Sequence, residues 1–253
     1  MSSAAPPPSA PSEACDLSVV VPVYDEAQVL EANLEAIVAF LEPLGESFEL
    51  VAVDDGSRDD SLAILERFAQ RDPRLKVERN PRNLGKGAAV KRGMLAARGR
   101  RVLFMDADLS TPLEEIPAFL GALDTGMDVV IGNRRAPGSQ VTRHQPWIRE
   151  TLGRGFTALT RMLLAPGVHD FTCGFKAFRH DAARAVFERT TRSAWAFDAE
   201  VVVIAHSLGL KLAQVPVRWA DEEGTKVRLL RAIPGTLFEL LVIASNRIRG
   251  RYR

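Results

Sequence analysis

The sequence predicts an α/β protein built on a doubly wound, mostly parallel sheet, and three observations carry that expectation. Apolar runs of strand length alternate with amphipathic helical patterns from Leu17 to Ile131, the pattern of parallel strands joined by right-handed helical crossovers. Three of these strands end in polar clusters: Pro22-Val23-Tyr24-Asp25-Glu26, Asp54-Asp55-Gly56-Ser57 and Asp106-Ala107-Asp108. Parallel strands bring such ends to one edge of the sheet, where open α/β sheets bind ligands. Finally, 253 residues with 46% apolar content bury one generous core, so a single domain is expected over residues 16–246. Residues 1–15, mostly Ala, Pro and Ser, read as a disordered leader, and residues 247–253 as a basic tail.

The elements follow in order. Leu17 to Val23 is a Val-rich strand, and Val29, Leu30, Leu34, Ile37, Val38 and Leu41 mark the helix after it. Phe48 to Val53 is a second strand, followed by a helix carrying Ser61, Leu62, Ile64, Leu65 and Phe68. Leu75 to Glu78 gives a short third strand, Gly87 to Ala97 a small-residue helix, Arg101 to Met105 the fourth strand and Val129 to Ile131 a fifth. Beyond Ile131, Gly132-Asn133-Arg134-Arg135 opens an irregular basic stretch reaching His144, and a helix is expected from Trp147 to Leu164. Trp195 to Glu200 opens a helix running Val201 to Leu208, Leu212 to Val217 reads as a strand, and Pro234 suits the start of a helix reaching Ile248.

Charge and cysteine content exclude several classes. Thirty-three basic against thirty-two acidic residues give +1, which argues against a dedicated nucleic-acid binder. Cys15 and Cys173 stand far apart without a C-x-x-C, so neither a disulfide scaffold nor a zinc site is expected, and the chain fits a reducing compartment. No run reaches the ~20 apolar residues a bilayer span needs.

The chemistry centres on Val102-Leu103-Phe104-Met105 running into Asp106 and Asp108. Residues two apart on an extended chain share a face, so both carboxylates reach one hard cation and leave positions open for phosphate oxygens. The alternative is a loop-capping pair ahead of a helix near Pro112. Neither G-x-G-x-x-G nor G-x-x-x-x-G-K-[ST] occurs, so a metal would take over the phosphate work of such loops.

Val21 to Glu26, Val53 to Ser57, Asn83-Leu84-Gly85-Lys86-Gly87, Asp106 to Ser110, Gly132 to Arg134, Cys173 to Phe178, Trp195 to Glu200 and Glu223-Gly224-Thr225-Lys226 together resemble the inverting family 2 glycosyltransferases of GT-A fold. The likeness covers about residues 16 to 245 and leans to dolichyl-phosphate β-glucosyltransferases ahead of the mannosyl enzymes. It implies a nucleotide-sugar-binding half, 16–131, and an acceptor half, 132–246. Asp106 and Asp108 would hold Mg²⁺ or Mn²⁺ on the donor diphosphate with Ala107 between them, and Pro22, Tyr24 and Glu26 would line base and ribose. Asp55 would accept a base N–H, Lys226 would neutralise donor phosphate, and Arg134 and Arg149 would grip the acceptor phosphate. Asp198 and Glu200 would face the sugar or else cap the helix after them.

The activity implied is transfer of one glucose from UDP-glucose to a dolichyl or polyprenyl phosphate. GDP-mannose as donor, a protein or carbohydrate O-glycosyltransferase, and a non-catalytic nucleotide-sugar-binding module are the alternatives. The chain lacks the Q-x-x-R-W motif and membrane spans of processive relatives, so one sugar and no polymer is expected. It carries Ser110 where some mannosyl relatives have glutamine and Gly153 where some have serine. The protein is expected at the cytoplasmic face of a membrane, peripherally attached through the Leu237–Ala244 segment and Arg247, Arg249, Arg251 and Arg253, with room for a separate membrane protein partner.

Overall fold

The computed structural model describes residues 15–143, 155, 157, 158, 160, 161, 164–194, 196–220 and 229–253. Within them the strands are β1 (Leu17–Val23), β2 (Phe48–Asp54), β3 (Leu75–Arg79), β4 (Arg101–Phe104), β5 (Val129–Asn133), β6 (Gln140–Arg143), β7 (Lys176–Arg179), β8 (Leu212–Pro216) and β9 (Arg218–Ala220). The helices are α1 (Leu30–Leu41), α2 (Ser61–Arg71), α3 (Lys86–Ala96), α4 (Ile116–Asp124), α5 (His180–Arg189), α6 (Phe197–Ser207) and α7 (Leu229–Ile248). The helix expected from Trp147 lies mostly outside the described residues, of which Gly155, Thr157, Ala158, Thr160 and Arg161 are helical.

The main sheet has the order β3-β2-β1-β4-β7-β5-β8, and β6 pairs with β9 in a separate two-stranded ribbon. β1 runs parallel to β2 and β4, β2 to β3, and β5 to β8. The expected edge therefore exists: β1, β2 and β4 deliver their polar ends to the same side. Period-two alternation sorts the strands between two cores. Val19, Val21, Leu50, Ala52, Leu103 and Met105 pack with α1, α2 and α4, while Val20, Val51, Val53, Val102 and Phe104 pack with α3, α5 and α6.

Three strands lie outside the sequence expectation: β6, in the stretch read as irregular, β9, and β7, which matters most for the site. β7 inserts between β4 and β5 antiparallel to both, with Phe104 opposite Lys176 and Ile131 opposite Lys176 on the other side. Four residues are too short for a period to register in the sequence. Because β7 is reversed, the segment leading into it, Cys173 to Phe175, crosses the carboxyl ends of its neighbours, where the acidic clusters lie. Phe178 anchors it by stacking at 6.5 Å from Phe104 and meeting Phe187 edge-on at 5.5 Å, pairs worth about 0.5–1.5 kcal/mol each beyond their burial.

α7 begins at Leu229, ahead of Pro234, so the proline does not mark its start; a proline removes one backbone donor, a local loss within a 20-residue helix. Its Leu240 and Ile243 are buried with α6. No helix among the described residues is long and apolar enough to cross a membrane.

Candidate active site

The loops after β1 and β2 are stitched together by side chains the sequence supplies locally. Ser57 Oγ accepts the Asp25 amide at 3.1 Å, Asp25 Oδ1 accepts the Arg58 amide at 2.7 Å, and Ser61 Oγ accepts the Glu26 amide at 2.9 Å. Asp25 holds φ 54°, a left-handed conformation that aspartate tolerates better than most residues because its side chain bonds the local backbone. Pro22, Tyr24 and Glu26 are half-buried along this seam. Asp54 folds back on its own turn, accepting the Gly56 and Ser57 amides at 3.2 and 3.1 Å.

Asp55, expected to accept a base N–H, is engaged by the protein itself. Its carboxylate is 2% exposed, and it accepts Asn80 Nδ2 at 2.7 Å and the Leu84 amide at 3.0 Å on Oδ1, with the Gly85 amide at 2.9 Å on Oδ2. It therefore anchors the loop that leads into α3. Oδ2, with one partner among these, retains a lone pair.

That loop delivers Lys86, whose ammonium pairs with Asp106 Oδ1. Burial pulls the ammonium pKa down, but Asp106, Asp198 and Asp108 outweigh it and hold it above the ordinary lysine value. Asp106 lies one residue past Met105, whose amide still bonds Val20 O at 3.0 Å, so its carboxylate stands at the lip of the strand, 30% exposed. Ala107 is buried, its carbonyl accepting Asn33 Nδ2 at 2.7 Å, and acts as the spacer between the two acids. Leu109 at φ 55° turns the chain so that Asp108 Oδ1 accepts the Ser110 amide at 3.0 Å. Burial, then the Asp106 charge, pushes the Asp108 carboxyl above its usual range.

A hard divalent cation fits this pair. Of the two carboxylates only Asp106 is paired with Lys86, and Asp108, bonded to the Ser110 amide, lies close enough to feel the Asp106 charge. Among the described residues no group of three His, Cys, Asp or Glu side chains forms a metal cage. Two carboxylates with substrate phosphates and water completing the shell is the arrangement Mg²⁺ favours.

A sequence profile for glycosyl transferase family 2 matches residues 18–187. This chain belongs to glycosyl transferase family 2. A dolichyl-phosphate beta-glucosyltransferase of Trichomonas vaginalis is 34% identical over 221 residues, covering 83% of this chain and 65% of the relative. Glycosyltransferase AglD of Haloferax volcanii is 32% identical over 238 residues, covering 93% of this chain and 38% of the relative. The chain thus spans less than two thirds of the length of these two curated relatives. In fold it is similar to glucosyl-3-phosphoglycerate synthase of Mycobacterium tuberculosis, crystallised with Mn²⁺, UDP-glucose and phosphoglyceric acid: TM-score 0.66, 21% identity, covering 91% of this chain and 80% of that one.

The second half of this family 2 domain places its charges where local sequence could not foretell. Arg134 lies against fully buried Asp170, donating through Nε at 2.7 Å and Nη2 at 2.9 Å, and reaches Thr172 Oγ1 at 2.8 Å. Its guanidinium also stacks over Trp219, 5.1 Å from the ring centre. An arginine expected to grip a phosphate is thus already bidentate to a carboxylate, leaving Nη1 as its unused side among the described residues. Asp198 neither caps α6 nor stands open: it is buried, paired with Lys176, and Lys176 also donates to Cys173 O at 2.6 Å. Burial raises the Asp198 carboxyl pKa against the pull of Lys176 and Lys86. Burial likewise pushes the Cys173 thiol up to about 11, so it stays protonated.

Glu200 is bonded within the protein. Fully buried, it accepts the Thr191 and Arg192 amides at 2.8 Å each, Thr191 Oγ1 at 2.6 Å and Tyr252 OH at 2.8 Å. Residues two apart on a helix do not share a face, so if Asp198 turns toward Asp106, Glu200 turns away and ties down the 191–192 loop. Arg149 and Lys226 lie outside the described residues.

Lys86, Gly174 and Lys176 lie in motifs that carry the resemblance but received no role from the sequence, and neither did Asp170. A lysine in the first turn of a helix opposes the macrodipole, and a lysine between Phe175 and Ala177 interrupts an apolar run. Both anomalies were signals. Gly174 sits so close to Asp106 that a Cβ there would lie 2.1 Å from Oδ2.

Proposed function

We propose that this chain transfers one glucosyl group from UDP-glucose to a dolichyl or polyprenyl phosphate with inversion at the anomeric carbon. The observation that carries the reading is the Asp106–Asp108 pair at the end of β4 with Lys86 against it. Relatives named for dolichyl-phosphate glucosyl transfer, aligned over 83% of the chain, supply the substrate class. Mg²⁺ or Mn²⁺ held by Asp106 and Asp108 would neutralise charge on the departing diphosphate. Beside it, the Lys86 ammonium adds a second positive charge at the same lip. Pro22, Tyr24 and Glu26 wall the base and ribose, and the free lone pair of Asp55 Oδ2 is the acceptor for a base N–H. Arg134, through Nη1, and Arg149 orient the acceptor phosphate, while Lys226 adds charge at the donor.

An acceptor phosphate oxygen attacks the anomeric carbon from the face opposite the nucleotide. The new C–O bond forms as the bond to the diphosphate oxygen breaks, and UDP leaves with the electron pair. The acceptor is already anionic at neutral pH, so no general base is needed, in keeping with Asp198 being paired to Lys176. A lipid-borne acceptor calls for peripheral attachment to a membrane, and the cytoplasmic face is part of the same proposal. Purified protein with Mn²⁺ or Mg²⁺, a short polyprenyl phosphate and a panel of UDP- and GDP-sugars tests the reading. One labelled lipid from UDP-glucose is expected, lost in Asp106→Asn and Asp108→Asn. A product from GDP-mannose alone reassigns the donor, and nucleotide-sugar binding without turnover makes the chain a binding module.

A further inference from the structure

The three most exposed large apolar side chains among the described residues all lie on α7: Phe238 at 64%, Leu241 at 65% and Ile248 at 86%. At helical spacing they form one outward stripe. The opposite face, with Leu240, Ile243 and Asn246, is buried against the body of the protein. The stripe leads into a strongly basic end. From Leu240 to Arg253 the sequence carries Arg247, Arg249, Arg251 and Arg253 and no acidic residue. Among the described residues none of these arginines pairs with a carboxylate: Arg247 donates to Leu164 O and Arg251 to Asn246 Oδ1. Ile248, the last residue of the stripe, also lines a cavity of about 420 Å³ together with Leu164, His206, Arg247, Tyr252 and Arg253.

We infer that the outward face of α7 and the arginines that follow it form a docking surface for an anionic lipid bilayer. An exposed apolar stripe bordered by uncompensated cations is what an interfacial helix carries: the stripe enters the acyl boundary and the cations meet headgroups. The cavity at its end offers both chemistries of an anionic lipid, apolar walls from Leu164 and Ile248 and cations from Arg247 and Arg253. A partner groove would cover the stripe but would not account for four arginines without acids. The choice of a bilayer rests on the proposed lipid-borne acceptor.

Vesicles of phosphatidylcholine alone and of an equal mixture with phosphatidylglycerol test the surface by co-sedimentation. The intact protein should bind the anionic vesicles more tightly, with binding weakened by salt. Each arginine near such a surface is worth about five-fold in partitioning, so Arg249→Glu/Arg253→Glu should lower binding by at least about 25-fold. Phe238→Ser/Leu241→Ser should lower it by about ten-fold or more on both vesicle types. The conservative variant Phe238→Trp should show an added, blue-shifting indole emission on anionic vesicles that the intact protein lacks. Transfer to a water-soluble short-chain acceptor, measured separately, should stay at the intact rate in every variant. Docking can therefore fail while transfer stands, or stand while transfer fails. Binding that ignores lipid charge, variants that bind like the intact protein, an emission of the Phe238→Trp variant unchanged by vesicles, or a lipid-free dimer dissolved by Phe238→Ser/Leu241→Ser would each overturn the inference.

Discussion

Replacing Gly174 by alanine probes the lip of β4 without touching a charge. The added Cβ would lie 2.1 Å from Oδ2, 2.6 Å from Cγ and 2.8 Å from Oδ1 of Asp106, whereas real Cβ contacts do not fall below 3.0 Å. The carboxylate must therefore withdraw by about 1 Å, and a displacement of that size in a catalytic constellation costs roughly 10²-fold in rate, about 2.7 kcal/mol of transition-state stabilisation. Folding should suffer far less. Asp106 is partly exposed and can swing toward solvent, so we expect a stability loss of no more than about 1 kcal/mol. Steady-state transfer, Mn²⁺ affinity by calorimetry and the urea midpoint separate the two effects. Gly121→Ala is the control: nothing lies within 4 Å of its Cβ in α4, so stability should rise by about 0.5–1 kcal/mol with kinetics unchanged. Undiminished kcat/KM and Mn²⁺ affinity in Gly174→Ala would refute the placement of Asp106, as would a loss traceable entirely to unfolding.

The remaining predictions concern the buried charges. Lys176→Met strands Asp198 without its cation and should cost about 3–5 kcal/mol by urea denaturation. Since burial already raises the Asp198 carboxyl, that variant should regain stability as pH falls from neutrality, and a flat profile would count against the pairing. At Asp170 burial pushes the carboxyl up, but Arg134 outweighs it and the net shift is downward. A depressed carboxyl stabilises fully above its unfolded value of about 4 and loses that contribution as pH drops below it. Arg134→Met should therefore reverse the acid-side slope of the urea midpoint. Glu200→Leu leaves the Thr191 and Arg192 amides without their acceptor and should cost about 1–3 kcal/mol for each, yet the folded fraction should keep its kcat. A specific loss of kcat would return Glu200 to the sugar.

From Leu17 to Met105 the sequence by itself determined the strands, their faces and the edge on which Asp55, Asp106 and Asp108 emerge. Those features are local: alternation sets which side of a strand meets a core, and an apolar run must end where carboxylates begin. Asp106 and Asp108 were legible for the same reason, as two acids on one short extended segment. Only the tertiary structure decided what each ionised group does. Lys176 and Asp198, 22 residues apart, neutralise each other because reversed β7 brings the lysine beneath the start of α6. Glu200 and Tyr252 meet across 52 residues once the chain beyond α7 folds back on α6. Arg134, which in the sequence is a basic residue near a nucleotide edge, is held by Asp170, 36 residues away. A buried charge needs a partner to offset its desolvation, and that partner comes from whichever distant segment the fold packs against it, which no local pattern records.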